Sequence, residues 1–482
     1  MFIGSKRFFY GVIALFLFSS LWIAFSGKYP LAFDENYHYG IVKAYANQFS
    51  PFFKHPPANS EAFGDITRYP SYLFHYLMSF PYRVISLFTE SDPIKIIFLR
   101  IINVFLLSSS LIVFKKIFEK LKIGAATGNL ALLFFVLTPV VPFLGAHINY
   151  DNLLIPLTGV VILLAVQVIE ELKKGRLNVK YSLLLLITCL FTSLVKYTFL
   201  PVFAALGLAG AFVLIRESMS GRVHVWKQVK PGFAQINLLT RITLIAGLIV
   251  GVGLFIERYG LNIVNYHTPA PDCGQVLTVD SCLHYGPWAR DYYLQLGKTG
   301  PPTWGAVRYS GHWAAQSMHE LFFAIDQNYH EKSPLPLPYY GAWLFGAVGT
   351  VLFVINWKKI KRLAHVHLIL FTVISYVFVL WIDNYHRFTT VNWPVAIHGR
   401  YLLPLLPLLY ALLAYAYKVS FSNFKWAVEI KALLTIVAVL CMLQGGLVTY
   451  IIRSSDSWYW NNEVVVRINH VIRGLVGTIT IN

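Results

Sequence analysis

The sequence predicts an all-α polytopic membrane protein with about eleven transmembrane helices. Hydrophobic residues make up 56% of the 482 residues and charged residues only 13%, whereas charged residues alone make up about 25% of a typical soluble domain. Apolar runs of about twenty residues recur along the chain, and each is long enough to cross a hydrocarbon core about 30 Å thick as a helix. We therefore expect residues 1–482 to form a single membrane domain.

The predicted spans are apolar runs separated by short polar connections, and the first is an anchor rather than a signal peptide because no clear small-residue cleavage site follows it. They cover 8–26, 94–114, 124–143, 152–170, 181–195, 197–215, 237–256, 338–356, 364–382, 400–418 and 430–452. The apolar, aromatic segment 70–88 also contains Pro70, His75, Pro81 and Arg83. We predict an interfacial helix there, with a further span as the alternative.

Lysine and arginine clusters follow alternate spans, such as Lys115 and Lys116 after the second and Lys173 and Lys174 after the fourth. The positive-inside rule assigns these connections to the cytoplasm and places the amino terminus there as well. The external segments are then 27–93, 144–151, 257–337, 383–399 and 453–482. Because the net charge of +18 is divided among such clusters, it indicates topology and contact with anionic membrane lipids rather than a nucleic-acid partner.

Two of the four cysteines bracket a short polar segment in the largest hydrophilic loop, 257–337. A disulfide between Cys273 and Cys282 would stabilise the folded loop by about 2.5 to 3 kcal/mol in the chain-entropy model. It would also require an oxidising compartment, in agreement with the external side that the basic clusters predict for this loop. We expect the loop to form a cap over the external surface, with short helices near 287–296 and 312–325.

The adjacent carboxylates Asp34 and Glu35 lie a few residues beyond the first span, where the chain leaves the lipid. They could bind a metal ion, hold a cationic partner, or accept a proton from a nucleophile if burial raises the pKa of one of them. A solvated loop is the structural alternative. The segment 27–93, which begins just before them, is therefore the first candidate for a functional site.

Charged and polar side chains recur at the ends of other spans. Asn149 and Asp151 occupy a very short external connection, where Asp151 could either favour the helix start through the helix dipole or serve as a rigidly placed site group. Lys196 lies between two spans that are almost contiguous, so its ammonium must reach the interface or meet an anion. Arg400 begins a span in HGRYLLPLLPLL and is well placed for a lipid phosphate.

Further candidates lie in and just after the external segment 383–399. His386, His398 and Tyr401 are found there, and His38 follows the acidic pair, although a lone histidine is usually structural. The sequence contains no HExxH, CxxC, Walker or GxGxxG motif. It also lacks a DxD pair of the sort that holds a nucleotide sugar through a divalent metal. This absence fits an external site, because nucleotide donors are made in the cytoplasm.

With these residues in order, the chain resembles the GT-C superfamily of membrane glycosyltransferases, which includes protein O-mannosyltransferases and lipid A aminoarabinose transferases. The matching elements occur in the family's order and on one predicted side of the membrane. They are Asp34 and Glu35 as the acidic motif of the first external loop, Arg68, Tyr69 and Pro70 in the proline-containing aromatic segment, Arg100 in the next span, Asn149 and Asp151 before the fourth span, and the GRYLLPLLP helix. The family's usual double proline is single here.

The resemblance implies inverting transfer of a sugar from a polyprenyl-phosphate donor, undecaprenyl phosphate in a bacterial inner membrane, to a glycan, lipid or protein hydroxyl on the external, periplasmic face. Asp34 would be the catalytic carboxylate with Glu35 beside it, and Lys196 and Arg400 would stabilise the departing lipid phosphate. The substrate-binding set would be His38, Arg68, Tyr69, Asn149, Asp151, Lys196, His386, His398, Arg400 and Tyr401. No cofactor is required by the pattern, although a divalent cation, Mg²⁺ or Mn²⁺, is compatible with the acidic motif.

Other functions share parts of this pattern. A transporter or flippase would place acids and bases near the middle of spans and would have paired broken helices in two halves, whereas the polar groups here cluster at one face. A polysaccharide polymerase or ligase of the cell envelope also has many spans and a large external loop. A receptor or assembly subunit without catalysis is a third alternative, against which only the acidic motif and its basic partners argue.

Overall fold

A computed structural model describes residues 2–31, 34–322, 336–422, 427–443, 446–453, 456–460 and 463–477. These residues form helices joined by turns and loops, and the only β-type pairing among them is an isolated antiparallel bridge between Gly27 and Tyr459. The all-α fold class predicted from the composition is therefore confirmed for the described part of the chain.

The amino-terminal half contains long bundle helices and the two helices of the first predicted external loop. In chain order its α-helices are α1 (Lys6–Ser26), α2 (Glu35–Ala46), α3 (Leu73–Ser86), α4 (Asp92–Leu121), α5 (Ala125–Leu137), α6 (Val140–Gly145), α7 (Asp151–Lys173), α8 (Val179–Val195), α9 (Leu200–Met219), α10 (Val225–Ala234), α11 (Leu238–Phe255) and α12 (Leu261–Tyr266). Ser5 caps α1 by accepting a hydrogen bond from the Phe8 amide, and Asn178 caps α8 by accepting one from the Tyr181 amide. Such side chains satisfy N–H groups that the first turn of a helix leaves unpaired.

The carboxyl-terminal half contains the helices of the large loop and further apolar helices. They are α13 (Cys273–Val276), α14 (Val279–Leu283), α15 (Gly286–Leu296), α16 (Ala306–Phe322), α17 (Pro336–Ile355), α18 (Trp357–Ile360), α19 (Val366–Val391), α20 (Leu406–Ser420), α21 (Ala427–Leu443), α22 (Leu447–Arg453) and α23 (Glu463–Gly477). The two halves pack together, since α20 lies against α5 and α19 lies against α9, while α4 and α7 pack along each other within the first half.

Six helical segments of the described chain are long and apolar enough to cross a membrane. They are Lys6–Ser26, Asp92–Leu121, Asp151–Lys173, Tyr197–Met219, Leu238–Tyr266 and Val366–Val391. Shorter apolar helices are Ala125–Leu137, Val179–Val195, Tyr339–Ile355 and Leu406–Ser420. A membrane protein with several spans is thus confirmed, whereas the predicted total of about eleven stays a prediction. The last predicted span, 430–452, includes residues 444–445, which lie outside the described ranges.

Two of the predicted spans are interrupted near prolines. The 124–143 segment forms α5 and α6 instead of one helix, because Thr138 is extended and Pro139 lacks the N–H group that would continue the ladder. The 400–418 segment begins as a 3₁₀ turn, Gly399–Leu402, and α20 starts only after it. The second interruption falls at Arg400 and Tyr401, two residues of the predicted site.

Helix α19 is longer than predicted. The predicted span ends at 382, but α19 continues to Val391 and stops at Asn392, whose φ of 56° lies in the left-handed region. Asparagine tolerates this conformation better than most residues, and the Asn392 side chain accepts a hydrogen bond from the Thr303 amide at 2.9 Å. The first half of the predicted external segment 383–399 is therefore helix rather than loop.

Helix α3 covers most of the segment 70–88 and fits the predicted interfacial helix. Its 14 residues rise about 21 Å, which is short of a hydrocarbon core about 30 Å thick. Leu77, Phe80 and Val84 form an exposed apolar stripe, while His75 is buried on the other face. A short helix with an apolar outer face suits the membrane surface better than a span.

Side chains that the sequence assigns to one side of the membrane meet in the structure. At the predicted cytoplasmic end, Lys120 Nζ lies 2.6 Å from Glu170 Oε2, and His365 Nε2 lies 3.1 Å from Glu170 Oε1. Lys418 Nζ at the same end donates to the Ile123 carbonyl oxygen at 3.0 Å. Residues predicted to be external meet elsewhere, around the site described below. This separation agrees with the alternation of the spans, while the orientation in the bilayer stays a prediction.

The large loop is held by the predicted disulfide between Cys273 and Cys282, which is present in the structure and links α13 to α14. A π-helical turn joins α11 to α12 at the start of the loop without a break. Helices α15 and α16 correspond to the predicted helices near 287–296 and 312–325. Residues 323–335, which include the end of the second prediction, lie outside the described ranges.

Replacing both Cys273 and Cys282 by Ser should loosen the loop without unfolding the membrane helices, because the bridge closes a local ring and its loss costs about 2.5 kcal/mol. Hydrogen exchange of the amides in α13 and α14 should become faster, while exchange in α4 and α7 stays unchanged. Cys441→Ser, which removes a free cysteine, is the matched control and should leave the loop as in the wild type. If the amides of α13 and α14 exchange as slowly in the double variant as in the wild type, the bridge does not stabilise the loop.

Candidate active site

The buried centre of the candidate site is an ion pair between Glu35 and Arg100, whose side chains are both 0% exposed. Arg100 Nε donates to Glu35 Oε1 at 2.7 Å and Nη2 donates to Oε2 at 2.6 Å, which is the bidentate geometry that makes arginine pairs strong. Arg100 Nη1 donates to the carbonyl oxygens of Ala24, at 3.1 Å, and Gly27. The pair therefore ties the end of α1 to α4 and to the start of α2.

Backbone amides complete the surroundings of the Glu35 carboxylate. The Leu31 amide donates to Oε2 at 3.1 Å and the Ile148 amide donates to Oε1 at 3.3 Å. Each oxygen thus accepts from Arg100 and from a backbone N–H group, in a place that no substrate reaches without displacing them. The geometry favours a positioning role for Glu35 over the predicted catalytic one.

Asp34 immediately precedes this pair and faces the opposite way, with a side chain that is 58% exposed. It is the N-cap of α2 with a φ of 59°, in the left-handed region that aspartate tolerates better than most residues. Asp34 Oδ2 accepts a hydrogen bond from Arg400 Nη2 at 2.7 Å. Partial burial raises the pKa of the Asp34 carboxyl, but Arg400, with help from His398 and Lys196, outweighs it and holds the pKa below its usual value. The carboxyl is therefore ionised at neutral pH.

A second ion pair lies within electrostatic reach of Arg400. Lys196 Nζ lies 2.7 Å from Asp151 Oδ1, and the two side chains are only 3% and 1% exposed. The ammonium is also 4.3 Å from the ring centroid of Tyr150 and 4.5 Å from that of Tyr401, where a cation is attracted to the ring face. Burial lowers the pKa of Lys196 to about 8, although Asp151 opposes the shift. Lys196 thus meets an anion, one of the two environments predicted for it.

Asn149 shapes the connection that carries Asp151. Asn149 Oδ1 accepts a hydrogen bond from the Asp151 amide at 2.9 Å, a local turn that asparagine favours. The Asn149 amide donates to Asn103 Oδ1 at 3.3 Å, and Asn152 Nδ2 donates to the same oxygen at 3.0 Å. Asp151 therefore begins α7 on a rigid support, and Asn149 acts here on the backbone of the site.

His38 forms a buried pair with His75, in which Nδ1 of His38 and Nε2 of His75 are 2.8 Å apart. The His38 ring also meets the Tyr150 ring edge to face, with 4.5 Å between centroids. Burial lowers the pKa of His75 to about 3 and that of His38 well below its usual value. Both imidazoles are therefore neutral at physiological pH, and His38 joins the site as a hydrogen-bonding group rather than a cation.

Arg68 joins the first loop to the chain that begins the large loop. Its Nη1 donates to Glu257 Oε1 at 2.9 Å, and its Nε donates to Asn262 Oδ1 at 2.9 Å. The next residue, Tyr69, packs against Tyr197, with 6.2 Å between the ring centroids, and burial and neighbouring tyrosines, Tyr401 among them, raise the pKa of its hydroxyl. The two adjacent residues thus differ, with Arg68 holding the scaffold and Tyr69 lying among tyrosines.

The two histidines predicted in the external segment 383–399, His386 and His398, lie in different places. The His398 ring lies 5.5 Å from the Tyr401 ring between centroids. His386 is exposed on α19, and in the described part of the chain no contact joins its side chain to the others. The predicted residues that lie together, called the central cluster below, are Asp34, His38, Tyr69, Asp151, Lys196, His398, Arg400 and Tyr401.

Tyr285, which the sequence did not single out, reaches the central cluster from the large loop. Its ring lies 5.8 Å from the Tyr37 ring between centroids. Burial raises the pKa of its hydroxyl, and the nearby Asp34 and Tyr401 add to the effect. Gly64, with a φ of 67°, leaves room for the ring, because a Cβ at Gly64 would lie 2.8 Å from Tyr285 Cδ1. The one sequence signal for Tyr285 is its place shortly after the disulfide.

The predicted divalent cation was tested against the side chains of the described ranges. Among them, no group of three or more His, Cys, Asp or Glu side chains stands close enough together to hold a metal ion. Both oxygens of Glu35 are engaged by Arg100 and by backbone amides, and Asp34 accepts from Arg400. The two carboxylates of the acidic motif form ion pairs with Arg100 and Arg400. The described residues therefore do not fit a metal ion.

Separating the Glu35–Arg100 pair should destabilise the protein strongly. Arg100→Met and Glu35→Gln should each lower the free energy of unfolding by about 3 to 5 kcal/mol, because one partner is left buried without the other. The loss of unfolding free energy in the double variant should be smaller than the sum of the two single losses. Unfolding of the purified proteins in detergent measures all three losses. Lys174→Met at the exposed pair with Glu171 is the control, with a loss below about 1 kcal/mol. Strictly additive losses would contradict the coupling.

No protein-family model and no curated protein sequence matches the chain. Its fold is similar to solved structures of the oligosaccharyltransferase AglB of Archaeoglobus fulgidus, a GT-C fold glycosyltransferase. One structure, tethered with an acceptor peptide containing the NVT sequon, has a TM-score of 0.47 and 11% identity, and the match covers 97% of this chain and 59% of that chain. Another, in complex with an inhibitory peptide and a dolichol-phosphate, has a TM-score of 0.44 and 10% identity, and covers 97% and 60%. The chain thus spans less than two thirds of the length of these proteins.

Proposed function

We propose that the chain is a membrane glycosyltransferase that moves a sugar from a polyprenyl-phosphate donor to a hydroxyl acceptor at the bilayer surface. The observation that carries the proposal is the exposed, ionised carboxylate of Asp34, held by Arg400 at 2.7 Å beside the buried cations and tyrosines of the central cluster. Asp34 follows the first membrane helix closely. A donor whose lipid stays in the bilayer can therefore bring its headgroup to this carboxylate.

Asp34 would act as the general base. An acceptor hydroxyl becomes acidic only as its oxygen bonds to the anomeric carbon and meets the positive charge of an oxocarbenium-like sugar. A carboxylate with a low pKa suits such a late proton transfer, because it is already in its basic form at neutral pH. Since Glu35 is buried, Asp34 is the accessible carboxylate of the motif, which fits a single displacement with inversion better than a covalent intermediate.

Arg400 and Lys196 would supply positive charge for the departing lipid phosphate. Fixed cations stabilise the charge that develops on a leaving oxygen without having to reorganise during the reaction. The planar guanidinium of Arg400 matches phosphate geometry. Lys196 is enclosed against Asp151, at 3% exposure, and would act mainly through its charge rather than by direct contact.

The contact between Arg400 and Asp34 would link donor binding to base strength. A phosphate that accepts hydrogen bonds from Arg400 competes with the Asp34 carboxylate for the same guanidinium. Arg400 is the strongest of the cations that hold the pKa of Asp34 down, so losing this contact would make the carboxylate a stronger base. The acceptor would then be activated only when the donor is in place.

The other predicted residues divide into two groups under this proposal. His38, Tyr69 and Tyr401 face the central cluster and would contact the sugar, whereas Arg68 and Asn149 position the backbone. His386 lies apart and takes no role. The donor would carry undecaprenyl phosphate in a bacterial inner membrane, and the acceptor would be a glycan, lipid or protein on the periplasmic face.

Asp34→Asn should lower sugar transfer by at least about 100-fold, because asparagine cannot accept the proton. The assay uses purified protein in proteoliposomes with a panel of radiolabelled polyprenyl-phosphate sugars and membrane acceptors. Asp280→Asn changes an exposed aspartate of α14 outside the central cluster and should keep wild-type transfer. Unchanged transfer by Asp34→Asn would remove Asp34 from the mechanism, and movement of the donor across the bilayer without transfer would favour a flippase.

The KM for the donor should rise as the pH passes about 8, the pKa of Lys196. Below this pH the ammonium is charged and attracts the donor phosphate, and above it that charge is lost. Initial rates between about pH 7 and about pH 9.5 measure the effect, and Lys196→Arg should remove it because arginine stays charged throughout this range. A constant donor KM in the wild type, or the same rise in Lys196→Arg, would contradict the assignment.

A further inference from the structure

A cavity of about 320 Å³ opens beside the central cluster, between the helices of the large loop and the segment that leads to Arg400. Its volume lies at the lower end of the range for small-molecule sites, about 300 to 1,000 Å³. The side chains that give it polar and aromatic character are Arg290 on α15, His312, Gln316 and Glu320 on α16, and Trp393 and His398 after α19. Apart from His398, none of them has a role in the proposed transfer.

Helix α16 presents one polar face to this cavity. His312, Gln316 and Glu320 recur at intervals of four residues, so their side chains lie one above another on the same side of the helix. Gln316 Nε2 donates to Glu320 Oε1 at 3.0 Å, which orients both groups. The opposite face of α16 contains the buried Ser317 and Leu321. The polar face is therefore fixed toward the cavity by the packing of the helix.

The facing wall, residues 393–398, is also fixed. Val395 and Ile397 are buried, and Asn384 Nδ2 donates to the Ala396 carbonyl oxygen at 3.1 Å. Ala396 has a φ of 59°, a conformation that alanine adopts only when its surroundings hold it there. The wall is therefore held in this shape by its own packing and hydrogen bonding.

Gly399 joins this wall to α16. A Cβ at Gly399 would overlap the Ser317 carbonyl oxygen and the Leu321 amide nitrogen, so only glycine allows the helix to lie this close. The close approach sets the backbone of α16, at Ser317 and Leu321, directly against the turn that carries Arg400. The cavity and the central cluster thus share one piece of backbone.

His398 connects the cavity to the central cluster. His398 lines the cavity, and its ring lies 5.5 Å from the ring of Tyr401 in the central cluster. Arg400, two residues further on, holds Asp34 at 2.7 Å. A molecule in the cavity would therefore contact His398, a residue close enough to Asp34 to affect its pKa, on the side of the large loop.

We propose that this cavity is the acceptor subsite and that it takes a carbohydrate, so that the acceptor of the transfer is a glycan hydroxyl; this inference rests on the proposed function. Sugar rings carry hydroxyls that both donate and accept hydrogen bonds, which suits the amide of Gln316 and the two histidines. They also have a face of C–H groups that stacks on aromatic rings. The indole of Trp393, 61% exposed, provides such a ring at the edge of the cavity.

Charge argues against a phosphate in the same place. The Arg290 guanidinium is already paired with Asp291, with 2.6 Å between Nη2 and Oδ1, and the Glu320 carboxylate would repel an anion. A neutral polyol meets neither obstacle. The donor phosphate and the acceptor would then occupy separate places, with the phosphate at Arg400 and the acceptor under α16.

The test is binding of the full-length wild-type protein, fluorescently labelled in lipid nanodiscs, to an array of immobilised saccharides. We expect retention on a subset of saccharides. Trp393→Ala and Gln316→Leu should each weaken it about tenfold or more, the loss expected when an aromatic stacking contact or a hydrogen-bonding contact with the ligand is removed. Trp226→Ala, at a tryptophan of α10 that is 91% exposed, is the matched control and should bind like the wild type.

Asp34→Asn on the same array separates this inference from the proposed function. It should bind saccharides like the wild type, because the cavity is intact, while failing to transfer sugar. No retention of any saccharide by the wild type, or equal retention by Trp393→Ala and Gln316→Leu, would overturn the acceptor subsite even if transfer is observed. Saccharide binding that depends on Trp393, in a protein that turns over no lipid-phosphate donor, would keep the carbohydrate site and overturn the transferase.

Discussion

The bidentate pair of Glu35 and Arg100 constrains the whole site. Removing two charges from water costs several kcal/mol for each ion, and the cost is offset only when every polar atom finds a partner in good geometry. Here backbone carbonyls at the end of α1 and two backbone amides complete the set. Because the Glu35 carboxylate and the Arg100 guanidinium have partners on several segments, these contacts form together only when α1, α2 and α4 are packed as they are here. Because Glu35 must point into this arrangement, Asp34 before it is turned outward, in a left-handed conformation that the pair enforces.

Charge balance then decides how a lipid phosphate could enter. In the described structure Glu35, Asp34 and Asp151 each have a cation within hydrogen-bond distance, namely Arg100, Arg400 and Lys196. An incoming phosphate must therefore displace a carboxylate from its cation. Glu35 and Asp151 are enclosed, whereas Asp34 is more than half exposed, so only Asp34 can give up its partner and gain compensating contacts with water or substrate. Under the proposed function, the exposure of Asp34 therefore favours Arg400 as the phosphate ligand and Asp34 as the group that is released.

The fold was predictable to the extent that the bilayer dictates it, because hydrocarbon thickness imposes the length and apolarity of spans. The disulfide was predictable because spacing and topology agreed. Helix ends at Pro139 and Asn392 were missed, since local backbone chemistry there overrides hydropathy. Asp34 and Glu35 look equivalent in sequence, and only their tertiary partners distinguish an exposed carboxylate from a buried one. For Tyr285 the sequence offers only its place shortly after the disulfide. Its approach to Asp34, like the placement of the polar face of α16, depends on packing between distant segments.

The large loop and the membrane helices contribute different halves of the site. The helices and their ends supply the charged residues around Asp34, whereas the loop supplies Tyr285 and, through α16, most of the polar face of the cavity. Three contacts join the loop to the membrane helices. Arg68 forms an ion pair with Glu257, Gly64 leaves room for the Tyr285 ring, and Gly399 allows α16 to approach the turn that carries Arg400. Changes on the cavity face of α16 leave these contacts intact. If the cavity is the acceptor subsite, as proposed, acceptor choice would vary through that face while the charged residues, and the chemistry assigned to them, stay in place.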